Sequence, residues 1–132
     1  MGNTSKHFHK RDAILSCLRG TDTHPTAEWI HEQLRLSHSD ISLATVYRNL
    51  ALFKKQGLIQ SVATVNGTER FDGNPLPHVH YICTDCDAVM DLAEISVPQE
   101  LRSAAGQCAG GTVNGCQLTF TGLCSQCQPN QN

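Results

Sequence analysis

The stretch His78-Val79-His80-Tyr81-Ile82-Cys83-Thr84-Asp85-Cys86 sets the organisation of the chain. Side chains alternate faces along a strand, so His78 and His80 share one face while Cys83, at odd offset, points to the other. This spacing calls for two metal sites, back to back. Cys83-x-x-Cys86 is matched by Cys124-x-x-Cys127 near the C-terminus, and four thiolates in two such pairs form a closed tetrahedral Zn2+ site. That zinc is structural, which leaves the histidines for something else. The 37 residues between Cys86 and Cys124 exceed a single zinc finger, so the zinc ties the end of a last strand to the turn after the first.

Working outward, the 132 residues with 39% hydrophobic content suffice for one ordinary domain or two small ones. No apolar run reads as a signal segment or approaches the length of a membrane span, so a soluble, cytoplasmic protein with no membrane partner is expected. Seven cysteines, an odd count that includes two Cys-x-x-Cys pairs, favour metal in a reducing compartment over a disulfide framework. Charge is unevenly spread. Residues 1–60 carry eight Lys/Arg against five acids, whereas residues 61–132 carry two against seven. A basic half joined to an acidic, His- and Cys-rich half suggests a nucleic-acid reader coupled to a metal-binding module.

The basic half has helical periodicity. Ile14, Cys17 and Leu18 mark a first helix over roughly residues 8–19, ended by Gly20, with Cys17 a small core residue. His24-Pro25-Thr26 opens a second helix whose Ala27, Ile30 and Leu34 share a face, with Glu28 near its N-terminus. Ser42 then caps a third helix that Gly57 closes. Val46, Leu50 and Phe53 face inward, leaving Thr45, Arg48, Asn49, Leu52 and Lys55 outward. Two helices across a short turn, the second presenting Thr, Arg and Asn from its first two turns, form a helix-turn-helix with a recognition helix. Leu58 to Thr64, the hairpin turn Asn66-Gly67 and Thr68 to Phe71 add a wing.

Gly73-Asn74-Pro75-Leu76-Pro77 breaks the order and reads as a hinge. Beyond Cys86 the chain turns back through Val89 to Leu92, which brings Asp91 beside the histidine strand. Ser96-Val97-Pro98 starts a helix with Leu101 facing inward. Gly106 to Gly115 reads as a loop, and Gln117 to Leu123 as the last strand. The expected fold is α+β: a winged helix-turn-helix domain over 1–72, a hinge over 73–77, a small α/β dimerisation domain over 78–127, and a disordered tail over 128–132.

Asp40-Ile41-Ser42-Leu43-Ala44-Thr45-Val46-Tyr47-Arg48-Asn49-Leu50, His24-Pro25-Thr26-Ala27, Arg70-Phe71-Asp72 and the His78-to-Cys86 motif together resemble the ferric uptake regulator (Fur) family of bacterial metalloregulators. The resemblance runs from about residue 11 to Cys127. It implies a homodimeric, metal-dependent transcriptional repressor, not an enzyme, that binds a pseudo-palindromic double-stranded DNA operator. Its regulatory Fe2+ or Mn2+ site carries over to His24, Asp72, His78, His80 and Asp91. Its DNA contacts carry over to Ser42, Thr45, Tyr47, Arg48 and Asn49. Without the family, a single His before a helix would read as a surface residue. Three imidazoles and two carboxylates suit Fe2+ or Mn2+ and leave Zn2+ to the thiolates.

The peroxide-sensing branch is similar to this sequence in carrying Asp where iron- and manganese-responsive members usually carry Glu, here Asp91. That branch implies oxidation of His24 or His78 at an iron-loaded site, followed by release of the operator. The chain also departs from the family. Its N-terminus lacks a usual further helix before residue 6, and Phe8 and Lys10 replace the customary Thr and Gln. No histidine follows His80, and Cys116 stands where many members have one, so no second His-rich site is implied. Cys108 and Cys116 read as ordinary strand and loop residues, with a redox pair as the alternative.

Three alternatives stand beside this reading. One is an iron- or manganese-responsive repressor without peroxide sensing. Another is a zinc-stabilised dimer that binds protein. A zinc-dependent nucleobase deaminase needs His-x-Glu and Pro-Cys-x-x-Cys, whereas here His80 follows His78 at that offset and Ile82 precedes the cysteine pair.

Overall fold

Two hydroxyl caps start the helices that matter most. Thr26 and Ser42, both in extended backbone, accept hydrogen bonds from the amides of Trp29 and Thr45, each at 3.1 Å, and so satisfy one orphan donor at each helix start. In the computed structural model, which describes residues 2–129 with side chains from residue 9 onward, these caps open α2 (Ala27–Leu34) and α3 (Leu43–Lys55). Before them runs α1 (Gly2–Arg19). The chain divides into two compact units, Met1–Pro75 and Leu76–Asn132. Residues 130–132 of the expected disordered tail lie outside the described residues.

In the first unit the apolar periodicity of three helices becomes one core. Ile14 and Leu18 of α1, Ile30 of α2, and Val46, Leu50 and Phe53 of α3 are all essentially inaccessible to water. Truncating Leu50 to Ala would cost about 2–5 kcal/mol through lost burial and the cavity left behind. Cys17 packs, partly buried, against this core. The hairpin follows as β1 (Gln60–Val65) and β2 (Thr68–Asp72), antiparallel, with a bulge between Ser61 and Ala63. Asn66 and Gly67 both take positive φ, 51° and 80°, the pairing that a two-residue turn matched to strand twist requires. Lys54 of α3 reaches Glu69 of β2 at 2.6 Å and ties wing to helix.

In the second unit a three-stranded sheet is built on β3 (Val79–Cys83). It pairs antiparallel with β4 (Val89–Asp91) and parallel with β5 (Leu118–Gly122), and α4 (Gln99–Ala109) lies in the crossover. The register sets His80 opposite Asp91. A Cβ at Gly122 would run into the Tyr81 hydroxyl, so any larger residue there requires the Tyr81 side chain to move.

Three expectations need correction. α1 begins at Gly2 rather than near residue 8, because its polar first half carries no apolar period to announce a helix. The expected loop from Gly106 is helical through Ala109, which places Cys108 on α4 rather than on a strand or loop. Leu101 was expected to face inward but is 51% exposed. It is the one large aliphatic side chain on α4, too little to make a stripe that buries the helix against its own unit.

Candidate metal centres and nucleic-acid interface

The cysteine cluster is assembled by backbone. Cys83 ends β3, Cys86 follows in the turn, and Cys124 and Cys127 occupy the turn after β5, anchored by the Thr84 amide donating to the Gly122 carbonyl at 2.8 Å. The four sulfurs lie within 4.8 Å of one another. Cys86 and Cys124 Sγ are 3.8 Å apart, far beyond a disulfide bond. A zinc–sulfur bond of about 2.3 Å gives a tetrahedral edge of about 3.8 Å, so this separation fits two thiolates sharing one Zn2+. The amides of Cys86 and Cys124 donate to Cys83 Sγ at 3.5 and 3.4 Å. These bonds, the Cys86 amide foremost, pull the Cys83 thiol down to about 6, setting it as a thiolate ligand. Cys127 is pushed up by hydrogen bonding with Cys124 and then Asp85. With Cys83 as a thiolate, its neighbours in the cluster keep their protons, and a divalent cation replaces those protons.

The second unit also brings His78, His80 and Asp91 together. The two imidazole rings lie 4.2 Å apart between centroids, and their Nε2 atoms approach the same Asp91 oxygen at 3.0 and 3.2 Å. His78 Nδ1 lies 2.7 Å from the Leu76 carbonyl oxygen, which assigns the proton of the neutral ring to Nδ1 and the lone pair to Nε2. A lone pair facing a carboxylate oxygen at such a distance needs positive charge between them. Two imidazoles and a carboxylate so arranged fit a divalent cation such as Fe2+ or Mn2+.

In the first unit His24 and Asp72 form their own pair, Nε2 to Oδ2, at 3.3 Å. His24 is 3% exposed, not the surface residue that a lone histidine before a helix would suggest. Three consecutive residues of β2 hold it. Arg70 donates through Nε to the His24 carbonyl and through Nη2 to that of Thr23 at 2.8 Å, the Phe71 amide donates to the Pro25 carbonyl at 2.9 Å, and Asp72 supplies the carboxylate. They fix His24 at φ 52°, a left-handed conformation costing a non-glycine residue about 1–3 kcal/mol and persisting only where the surroundings enforce it. Asp72 is oriented in turn by the Asn74 amide, 2.9 Å from Oδ1. These are the ligand atoms and second-layer bonds that a metal site requires.

The expected DNA contacts all fall on one helix and its cap. Ser42 is the N-cap of α3, and its hydroxyl meets that of Thr45 at 2.9 Å. Arg48 donates to Thr45 Oγ1 at 3.1 Å, and Asn49, half-buried, donates to the Thr45 carbonyl at 2.9 Å. Tyr47 is 43% exposed and its hydroxyl donates to the Glu28 carboxylate. Lys10 and Arg11 of α1 line a cavity of about 480 Å3 with Thr45, Arg48, Asn49 and Leu52, a basic recess beside the recognition helix. Sequence reasoning did not find the Glu28 contact or the grip of Arg70 on His24. Arg70 had a signal, its place beside Phe71 and Asp72; Glu28 read only as an acid favouring a helix start.

A model described as the ferric uptake regulator family matches residues 3–121. The peroxide-responsive repressor PerR of Staphylococcus aureus is 34% identical over 121 residues, spanning 90% of this chain and 80% of that protein. The crystal structure of the Campylobacter jejuni peroxide stress regulator superposes with a TM-score of 0.82 at 26% identity, covering 96% of this chain and 94% of that one. A ferric uptake regulator of Francisella tularensis, solved with iron, shares the fold with a TM-score of 0.74 at 22% identity, covering 91% and 92% of the two chains.

Proposed function

The chain belongs to the ferric uptake regulator family, metal-responsive regulators of transcription, and from that premise we propose that it is a cytoplasmic repressor whose operator binding is released by peroxide through oxidation of its own histidines. The observation that carries this reading is Asp91, a short carboxylate in register with His80 and shared by both imidazoles of its unit. The names of the Staphylococcus and Campylobacter relatives support the same branch.

The regulatory ion takes His24 and Asp72 from the reading domain (1–72), and His78, His80 and Asp91 from the dimerisation domain (78–127), across the hinge 73–77. An ion bound to both sets favours one relative orientation of the domains, and a ligand that prefers one arrangement is by linkage an effector of DNA binding. Ser42, Thr45, Tyr47, Arg48 and Asn49 present the reading face of α3 to a pseudo-palindromic operator, and a homodimer supplies its two-fold symmetry. Ile95, Leu101 and Phe120, all exposed on the second unit, offer apolar surface for that dimer.

The chemistry that bound Fe2+ supplies at such a site is electron donation into the O–O bond of peroxide. In the net reaction one ring C–H of His24 or His78 would gain one peroxide oxygen, its hydrogen staying on the ring as O–H or N–H, while the other oxygen leaves as water. The imidazole is oxidised by two electrons and the peroxide is reduced to water. The oxidised ring of His24 or His78 would be a poorer ligand for the regulatory ion, and operator binding that depends on that ligand would be lost.

The test is operator binding by Fe2+-loaded and Mn2+-loaded protein under brief, low peroxide, with mass spectrometry of the peptides. The expected result is loss of binding with iron alone, with one oxygen added to His24 or His78 and the zinc cysteines intact. Iron-loaded protein that stays on DNA with both histidines unmodified would assign the chain to the iron- or manganese-responsive repressors instead.

A further inference from the structure

Tyr47 lies among the groups that read DNA, yet its hydroxyl is committed elsewhere in the same unit. It donates to the carboxylate of Glu28, which stands in the first turn of α2. An acid on a surface that must meet phosphates weakens binding to every sequence alike, so its presence calls for a function other than affinity. The bond supplies one. A phenol both donates and accepts, but with its proton held by a carboxylate it can only accept. Hydrogen bonding to Tyr47 holds Glu28 below the usual carboxylate range, and the Glu28 bond in turn raises Tyr47. At neutral pH, therefore, the proton stays on the phenol and points at the acid.

We propose that Glu28 is a specificity-determining residue: by accepting the hydrogen bond of the Tyr47 hydroxyl it leaves the phenol only an acceptor oxygen and a bare ring edge to present, which excludes guanine from the base step that Tyr47 faces. In the major groove guanine shows two acceptors, N7 and O6, and an acceptor set against them is repelled. Adenine and cytosine offer an amino donor to the phenol oxygen, and thymine offers its methyl to the ring. The inference rests on the proposed reading face and adds to it a residue on a different helix that acts through Tyr47.

The experiment is selection from randomised duplexes by the Mn2+-loaded full chain, comparing wild type, Glu28→Ala, Tyr47→Phe and the double variant. Wild type should deplete guanine at one step of each half-site, and Glu28→Ala should restore it by about tenfold, because the freed hydroxyl can donate to O6 or N7. In the Tyr47→Phe background Glu28→Ala should leave base preference unchanged. A solution readout accompanies it: the chain has two tyrosines, so in a Tyr81→Phe background the remaining tyrosinate absorbance titrates Tyr47, and Glu28→Ala should move that titration to lower pH. An unmoved titration, or a gain in affinity equal for all sequences with no change in profile, overturns the inference and leaves the reading face standing. If Tyr47→Phe and Arg48→Ala both leave binding of the selected duplexes intact, the reading face itself fails, and this inference with it.

Discussion

The two sets of metal-binding side chains are built on opposite plans. The four cysteines belong to one unit, sit in two turns tied to each other through backbone bonds, and include a sulfur already stabilised as thiolate by two amides. The histidines and carboxylates are divided, with His24 and Asp72 in one unit and His78, His80 and Asp91 in the other. A site whose ligands share a rigid frame binds once and holds; a site whose ligands sit on separate bodies binds in proportion to how those bodies are arranged. On the proposed reading, the first plan makes a fastener and the second a sensor.

The sharpest way to break this comparison is to weaken the fastener. Cys124→Ser should abolish zinc retention and with it the dimer, since zinc bound to such sites contributes about 10–16 kcal/mol that is also folding energy. Zinc analysis with sedimentation checks it, and a stable zinc-free dimer would make the cysteines dispensable. Weakening the sensor should look different. Asp72→Asn or His80→Ala removes a direct ligand and is expected to lower Mn2+ affinity by more than the roughly 10–100-fold that losing an outer hydrogen-bond partner costs, with zinc content unchanged by metal analysis. Asp91→Glu separates metal binding from peroxide chemistry. Metal-dependent operator binding should persist while iron-loaded protein becomes peroxide-resistant, as the longer side chain reaches the ion differently.

These contrasts were only partly legible in the sequence. The cysteine pairs announce themselves because both spacing and chemistry are local, and Asn66-Gly67 likewise names its own turn. The periodicity of Ala27, Ile30 and Leu34, or of Val46, Leu50 and Phe53, states which faces are buried because helix geometry repeats every few residues. His24 shows the opposite case. Its burial and its left-handed backbone come from Arg70 and Phe71, 46 and 47 positions away, and no local pattern encodes such contacts. The first half of α1 and the exposed Leu101 escaped for a different reason: neither helix segment carries the apolar stripe that periodicity reads.

Two smaller effects sharpen the picture. Arg48→Ala should weaken specific operator binding by about 1–3 kcal/mol if the guanidinium reaches a guanine edge; a phosphate contact would instead weaken all sequences alike and lower the salt slope by about one. Titration of binding against salt distinguishes them. Where the two cysteine turns stay folded after chelation, zinc uptake should release fewer than four protons above pH 6, because Cys83, held down to about 6, has already lost its own. The depressed value also fixes the sign of the pH effect. The thiolate's contribution is present above the ordinary thiol range and is lost as pH falls through about 6, where proton release should climb toward the full count.

The strand β3 carries a ligand of each site, His80 and Cys83, on opposite faces at a separation of about 10 Å set by strand rise alone. Substitutions between them, at Tyr81 or Ile82, alter packing and leave that parity untouched. Insertion or deletion of a single residue does not: it turns Cys83 toward the histidine face, or His80 toward the thiolates, and mixes soft and hard ligands in one place. This short segment can therefore drift in side-chain identity but hardly at all in length, and a change of reading register here is a heavier lesion than any point substitution nearby.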